Sequence, residues 1–413
     1  MPKDHFYRHL ERTLDLTFVR DLAADCYASG GRPSIDPVVF FKLHLVMFFE
    51  GLRSERKLIE LAGLNLAHRW YLGYNLDEPL PDHSSLSKIR ARLGLPVFRR
   101  FFDISVEQCV QAGLVWGKEL IFDAMKVRAN AAMDSLIPVL RIVVDDHLAA
   151  LAEADVPEEA SRWELLEQCC LDPDRPPTSY YERKSDQRTS TTDPDAALMR
   201  PRGERACLGY HNHCVVDGGT ARIILHALVT PADVMENQPM LDQLRRVIFR
   251  WRVRPKRVIA DTTYGTTDNI RALEGEEGIR AYMPLPDWEH QRAYLGLSQF
   301  TYDAERDVYA CPEGTLLHPY RRELKAEKVE YRAEAAICNG CPRKGECTPS
   351  EQGRSVHRSF HAQYLERVRG YHETEPYKKA MRKRKVWIEP GAPWADSGRR
   401  NSGTGCGSSA YAG

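Results

Sequence analysis

The sequence predicts an α/β protein: a helical N-terminal region, then a mixed sheet, then a small cysteine-rich insertion. Three observations carry this. From about residue 30 to 115 apolar residues recur at helical spacing; after that, short apolar runs bounded by turn residues replace them; and four cysteines gather between Cys311 and Cys347.

The elements follow in order. "SIDPVVFFKLHLVMFFEGL" offers Ser34 or Asp36 as an N-cap, places Pro37 in the first turn, stops near Gly51 and is apolar on nearly every face, so this helix should be buried. "RSERKLIELAGL" and "DHSSLSKIRARLG" read as shorter amphipathic helices, the latter capped by Asp82 or Ser84, stopped at Gly94 and displaying Lys88, Arg90 and Arg92. Short helices with a basic last member fit a helix-turn-helix reader of DNA, and equally fit an ordinary small bundle. After the helix "PVFRRFFDISVEQCVQAGL" the period changes. "KELIFDAMKV" reads as a strand ending on an acid, "HCVVDGGTARIILHALV" as a hairpin turning at Asp217-Gly218-Gly219, "PADVMENQPMLDQLRRVIFRW" as a helix-length segment, and "PKRVIADTTYG" as a second strand ending on an acid. The polar stretch within residues 129–205 reads as a loop or substrate-facing arm.

With 413 residues, 43% apolar and 28% charged, the chain can bury ordinary cores in two or three domains. The N-terminus lacks an apolar signal core, and "VVFFKLHLVMFF" is too short to span a bilayer and carries Lys42 and His44, so a cytoplasmic, membrane-free protein is expected. Eleven cysteines in such a chain favour reduced thiols, with metal binding where they cluster. A formal net charge of zero excludes a wholly basic nucleic-acid-binding surface. Local charge matters more: "YKKAMRKRK" places Lys378, Lys379, Arg382, Lys383, Arg384 and Lys385 together without one acid, either as a solvated helix face or as a phosphate-binding one.

Asp123 follows Leu120-Ile121-Phe122, and Asp261 follows Val258-Ile259-Ala260. Singly, each reads as a turn former or helix cap. On adjacent strands, two carboxylates would repel, and a divalent cation between them is the natural resolution. Glu389, in "RKVWIEP" after the basic helix, is the candidate third acid, with Trp387 and Ile388 available to bury beside a sheet. Asn130, Tyr264 and Asn269 could lie nearby, though turn and packing roles are more ordinary for them.

Here the sequence resembles a known family. "FDAMKVRAN", "STTDPDAALM", "LGYHNHCVVDGGTARIILHALVTPADVMENQPML", "VIADTTYGTTDNI" and "RKRKVWIEP" look like successive blocks of the DDE transposases of bacterial insertion sequences. "GRPSIDPVVFFKLHLVMFFEGLRSERKL" and "RWYLGYNLDEPLPDHSSLSKIR" look like their helical N-terminal domain. The resemblance runs from about Gly31 to Pro390. It implies an RNase H-like catalytic fold with Asp123, Asp261 and Glu389 as the metal-binding triad, Mg2+ or Mn2+ as cofactor, and double-stranded DNA, both element terminal repeats and target, as partner of an expected homodimer. In-line displacement at a phosphodiester by two divalent ions suits three carboxylates.

Cys311, then Cys338, Cys341 and Cys347 in "CNGCPRKGEC", supply four thiolates that could close a structural zinc site folding a knuckle with little core of its own. Four free thiols are the alternative, and His318 could replace one ligand. The expected organisation is a helical DNA-binding domain over 1–115, a catalytic core over 116–285 with a helical or loop insertion at about 129–205, the cysteine-rich insertion over 286–353, the basic helix and third acid over 354–390, and an aberrant tail over 391–413.

That tail is Gly, Ser, Ala and Arg without an apolar period. Read from each third base, codons for Asp396 to Gly413 can encode "FGEAKQWHGLRQFRLRG", a string like the one the resembled family carries after its glutamate. A frameshift just after Glu389, with a small insertion at "GAPWA", is therefore expected. The function expected is transposition, impaired here by loss of the C-terminal helix, or, as the alternative, a DNA-binding remnant that represses or competes with intact copies.

Overall fold

The computed structural model describes residues 1–27, 34–138, 181, 188–201, 203–286 and 294–387. Glu389, the tail and most of the 129–205 insertion lie outside them. The chain divides into two compact units, residues 1–114 and, among the described residues, 115–387.

The first unit is helical: α1 (Phe6–Thr13), α2 (Phe18–Leu22), α3 (Pro37–Phe49), α4 (Glu55–Leu64), α5 (Leu66–Leu72) and α6 (His83–Gln111). Asp36 caps α3 by accepting from Val38 N at 2.8 Å, and Pro37 occupies the first turn. Because α3 is apolar all round, the other helices surround it: Phe40, Phe41, Leu43 and Val46 are buried, and Phe41 stacks on Phe101 with ring centroids 4.3 Å apart. Gly94, at φ 66° and ψ 177°, is non-helical, so the chain stops at Gly94 and restarts beside Pro96 as expected, and α6 is two helices meeting at a kink.

The second unit is built on a mixed sheet. Its strands are β1 (Glu119–Arg128), β4 (Ala197–Met199), β5 (Cys207–Asp217), β6 (Ile224–Pro231), β7 (Arg257–Ile259) and β8 (Arg280–Tyr282); β2 (Leu136–Pro138) and β3 (Arg188–Ser190) form a separate ribbon. The order β6-β5-β1-β7-β8 has β5 antiparallel to both its neighbours and β1, β7 and β8 mutually parallel, which is the RNase H-like arrangement. Part of the stretch read as a loop instead adds strand β4 beside the start of β5.

Asp217 ends β5 fully buried, accepting from the backbone N–H of Trp116, Gly117 and Gly219 at 2.7–2.9 Å. The turn after it has no room for side chains: a Cβ on Gly218 would lie 2.7 Å from Glu119. Helix α7 (Met240–Trp251) packs on β5 and β6, Gln243 donating to His213 O and Trp251 Nε1 to Leu225 O. Helix α8 (Thr267–Arg271) follows β7 and continues into a π turn.

The cysteine-rich region differs from expectation. It carries a five-stranded antiparallel sheet, β9 (Thr301–Asp303), β10 (Val308–Ala310), β11 (Leu316–Glu323), β12 (Lys328–Ala333) and β13 (Ser355–Ser359), ordered β13-β12-β11-β10-β9. Phe300, Tyr309, Leu317, Tyr331 and Val356 give it a core of its own, so it is more than a knuckle and extends past residue 353. Short helices α9 (Ala335–Asn339) and α10 (Lys344–Cys347) connect β12 to β13, and α11 (Ala362–Tyr371) and α12 (Glu375–Trp387) return the chain to the main sheet.

Candidate active site

Asp123 lies in the middle of β1 rather than at its end, because β5 continues to pair with β1 through Arg128. Parallel pairing aligns Ile121 with Ile259, and Asp123 and Asp261 each sit two residues further on. Asp261 uses one oxygen as a cap, Oδ1 accepting from Thr263 N at 2.8 Å, so its turn-forming role and its exposure to the site coexist. Its other oxygen, Oδ2, is the one nearer Arg384.

Both aspartates meet the same nitrogen. Arg384 Nη2 donates to Asp123 Oδ1 at 2.7 Å and stands 3.6 Å from Asp261 Oδ2. The Arg384 side chain is only 6% exposed, against 16% for Asp123 and 35% for Asp261. Burial pushes the Asp123 carboxyl up to about 6, with Arg384 opposing that rise and Asp261 and Glu236 adding to it.

Tyr264, buried, lies beside the site as the sequence allowed, and Glu236, which was not read from the sequence, completes the surroundings. The Tyr264 phenol is raised by burial first and then by Asp123, Glu236 and Asp261. Asn269, buried, donates through Nδ2 to Asn237 O and to Tyr264 O, both at 3.2 Å, and so ties the turn carrying Glu236 to the turn after Asp261. That is a packing role, as its alternative reading held. Asn130 is exposed beyond β1.

The basic run on α12 divides, which corrects its reading as one DNA-facing set. Tyr377, Ala380 and Arg384 form the buried stripe, spaced three and four apart. Lys383 also turns inward, to the carboxylate of Glu119 and to Gly218 O, while Arg257 Nε donates to Glu119 from the other side at 2.5 Å. Lys378, Lys379, Arg382 and Lys385 remain exposed. The physical reason is the helical period, which cannot place six residues out of eight on one face.

In the helical unit Lys88, Arg90 and Arg92 are exposed on α6; Arg90 pairs with Glu55, and Arg92 donates to Ser34 and lies 4.4 Å from the Tyr27 ring centroid. In the insertion Cys311, Cys338, Cys341 and Cys347 line one small cavity, and Arg354 N donates to Cys338 Sγ at 3.5 Å. Burial raises the Cys347 thiol, and the other three cysteines act on it in the same direction. His318 is exposed and is absent from the cavity lining, which removes it as the replacement ligand. Among the described residues, ligand atoms of Glu323, Glu330 and His357 lie within 4.8 Å of one another. Lys328 and Arg332 already pair with Glu323 and Glu330.

Three family models match the chain. Residues 1–92 match "Transposase domain (DUF772)", and residues 185–334 and 310–402 each match a "Transposase DDE domain". The chain belongs to the DDE transposases of insertion sequences. The matches to this transposase include Asp261 and Glu389 but not Asp123, whose place in the site rests on geometry. The last match runs past Pro390, to residue 402. No curated protein and no solved structure matches. Among the described residues no helix is long and apolar enough to cross a membrane.

Proposed function

We propose that Asp123, Asp261 and Glu389 are the acidic set with which this transposase cleaves DNA at its element's terminal repeats and transfers the strand. The observation that carries this reading is the convergence of Asp123 Oδ1 and Asp261 Oδ2 on one cationic nitrogen. Two carboxylates from adjacent parallel strands that share one cation form a hard-oxygen donor set suited to Mg2+ or Mn2+. Such ions, when bound, supply Lewis-acid charge to the attacking and leaving oxygens of a phosphodiester. The chain's own residues do the rest. Asp261 is held by its bond to Thr263 N, and Asp123 by its place within a paired strand. Lys378, Lys379, Arg382 and Lys385 on α12, with Lys88, Arg90 and Arg92 on α6, are the cations offered to the DNA backbone. The 1–115 region is the proposed DNA-binding domain, a homodimer the acting form, and Cys311, Cys338, Cys341 and Cys347 a structural zinc set.

The tail favours a second reading, a DNA-binding remnant whose catalytic helix was lost by frameshift. One experiment addresses both: cleavage of an oligonucleotide bearing the terminal repeat, by this chain and by a version with the frame restored. The restored chain should cleave with Mg2+, and Asp123→Ala, Asp261→Ala or Glu389→Ala within it should abolish cleavage while leaving DNA affinity within about threefold, since carboxylates do not contact the phosphate charge. Any variant that still cuts at the parental rate drops out of the set. Equal cleavage by the unrestored chain removes the remnant reading.

A further inference from the structure

We propose that Arg384 is the resident counter-ion of the two aspartates, holding them together in the metal-free protein and competing with the divalent ion for them. This rests on the reading of Asp123 and Asp261 as metal-binding and extends it to what neutralises them beforehand.

The guanidinium is built into the site. Helix α12 presents Arg384 in the same buried stripe as Tyr377 and Ala380, and Tyr377 packs against Tyr282 of β8 with ring centroids 5.7 Å apart. One residue earlier, Lys383 fixes the helix to Glu119 and to Gly218 O. The Arg384 side chain is 6% exposed, so it was not simply laid on the surface. It reaches both carboxylates with one nitrogen, at 2.7 and 3.6 Å, and those oxygens are the ones a divalent ion would need. A divalent cation touching the same oxygens would lie a few ångströms from a fixed positive charge, in surroundings that screen poorly. The two cations therefore exclude one another. Loading the site requires the guanidinium to withdraw, and α12 is the helix that leads in sequence to Glu389.

The test is Mn2+ binding to the full chain, followed by calorimetry, with no substrate present. Arg384→Gln should bind Mn2+ at least about tenfold more tightly than the parent. Its metal-free form should melt at a lower temperature, because the paired carboxylates lose their cation. Arg384→Lys places one point charge where a planar fork stood, so its affinity should fall between the two. If Arg384→Gln does not fold, Arg384→Lys carries the test, and affinity no tighter than the parent's overturns the proposal. Unchanged or weaker Mn2+ binding by Arg384→Gln likewise overturns it, showing that Arg384 orients the aspartates for metal. Asp261→Ala separates this failure from that of the underlying reading: if it binds Mn2+ as the parent does, the aspartates are not the metal site at all.

Discussion

Asp217 shows how one buried acid can be structural in a protein where other acids are chemical. It accepts three backbone N–H bonds, from Trp116, Gly117 and Gly219, the last two of them buried. Asp217→Ala should therefore cost about 3 kcal/mol or more of unfolding free energy in urea, since each buried group left unsatisfied costs roughly 1–3 kcal/mol. Asp217→Asn, which keeps one carbonyl oxygen, should lose less; equal losses would show that the carboxylate's charge dominates. Asp123 and Asp261 differ from Asp217 in facing a guanidinium, Asp261 with the oxygen that does not accept from Thr263 N. The sequence made both visible because each follows an apolar run. It did not reveal Arg384, whose identity as a cation placed it among DNA-binding residues. The signal was present in the spacing of Tyr377, Ala380 and Arg384, which puts Arg384 on the apolar stripe. Glu236 left no such signal, since it lies in a turn that only tertiary structure brings beside Tyr264.

At the scale of elements, helix α12 serves two ends with two faces. Its inner face holds Glu119, 3% exposed in its side chain, between Lys383 and Arg257. Its outer face carries Lys378, Lys379, Arg382 and Lys385. Lys383→Gln should lower stability and speed amide exchange along α12, because a buried carboxylate loses one of its two cations. Replacing the four outer cations by Gln should leave stability nearly unchanged but weaken DNA binding. The dependence of log affinity on log salt should flatten by about 0.9 for each phosphate contact removed. A flattened salt slope in Lys383→Gln instead would place that lysine on DNA. Elements with strong local chemistry were legible beforehand: the Asp36-Pro37 start of α3, and the hairpin β5–β6. The extent of β1 was not, because the strand is carried past its apolar run by hydrogen bonds to β5.

In the whole molecule, the cysteine-rich segment is a sheet with its own core, separate from the sheet that carries the aspartates. Sequence reading found its cysteines and missed its strands, because β11 and β12 are heavily charged and one face of an antiparallel sheet can be polar. The separation has an energetic consequence. Leu317, Tyr331 and Val356 are buried there, and Cys311, Cys338 and Cys347 pack against that cluster, so any metal held by the thiols would stabilise this sheet first. Protein purified without chelators should carry about one zinc per chain, lost in the double variant Cys338→Ser, Cys341→Ser. Hydrogen exchange should then accelerate over β9 to β13 while β1 and β5 keep their protection, since local opening follows the core each segment belongs to. Zinc-free protein, or exchange unchanged by the double substitution, would mean that the apolar cluster alone holds the insertion. A simultaneous loss of protection in β1 and β5 would mean that the two sheets unfold as one unit, and that the insertion is part of what keeps Asp123 and Asp261 in register.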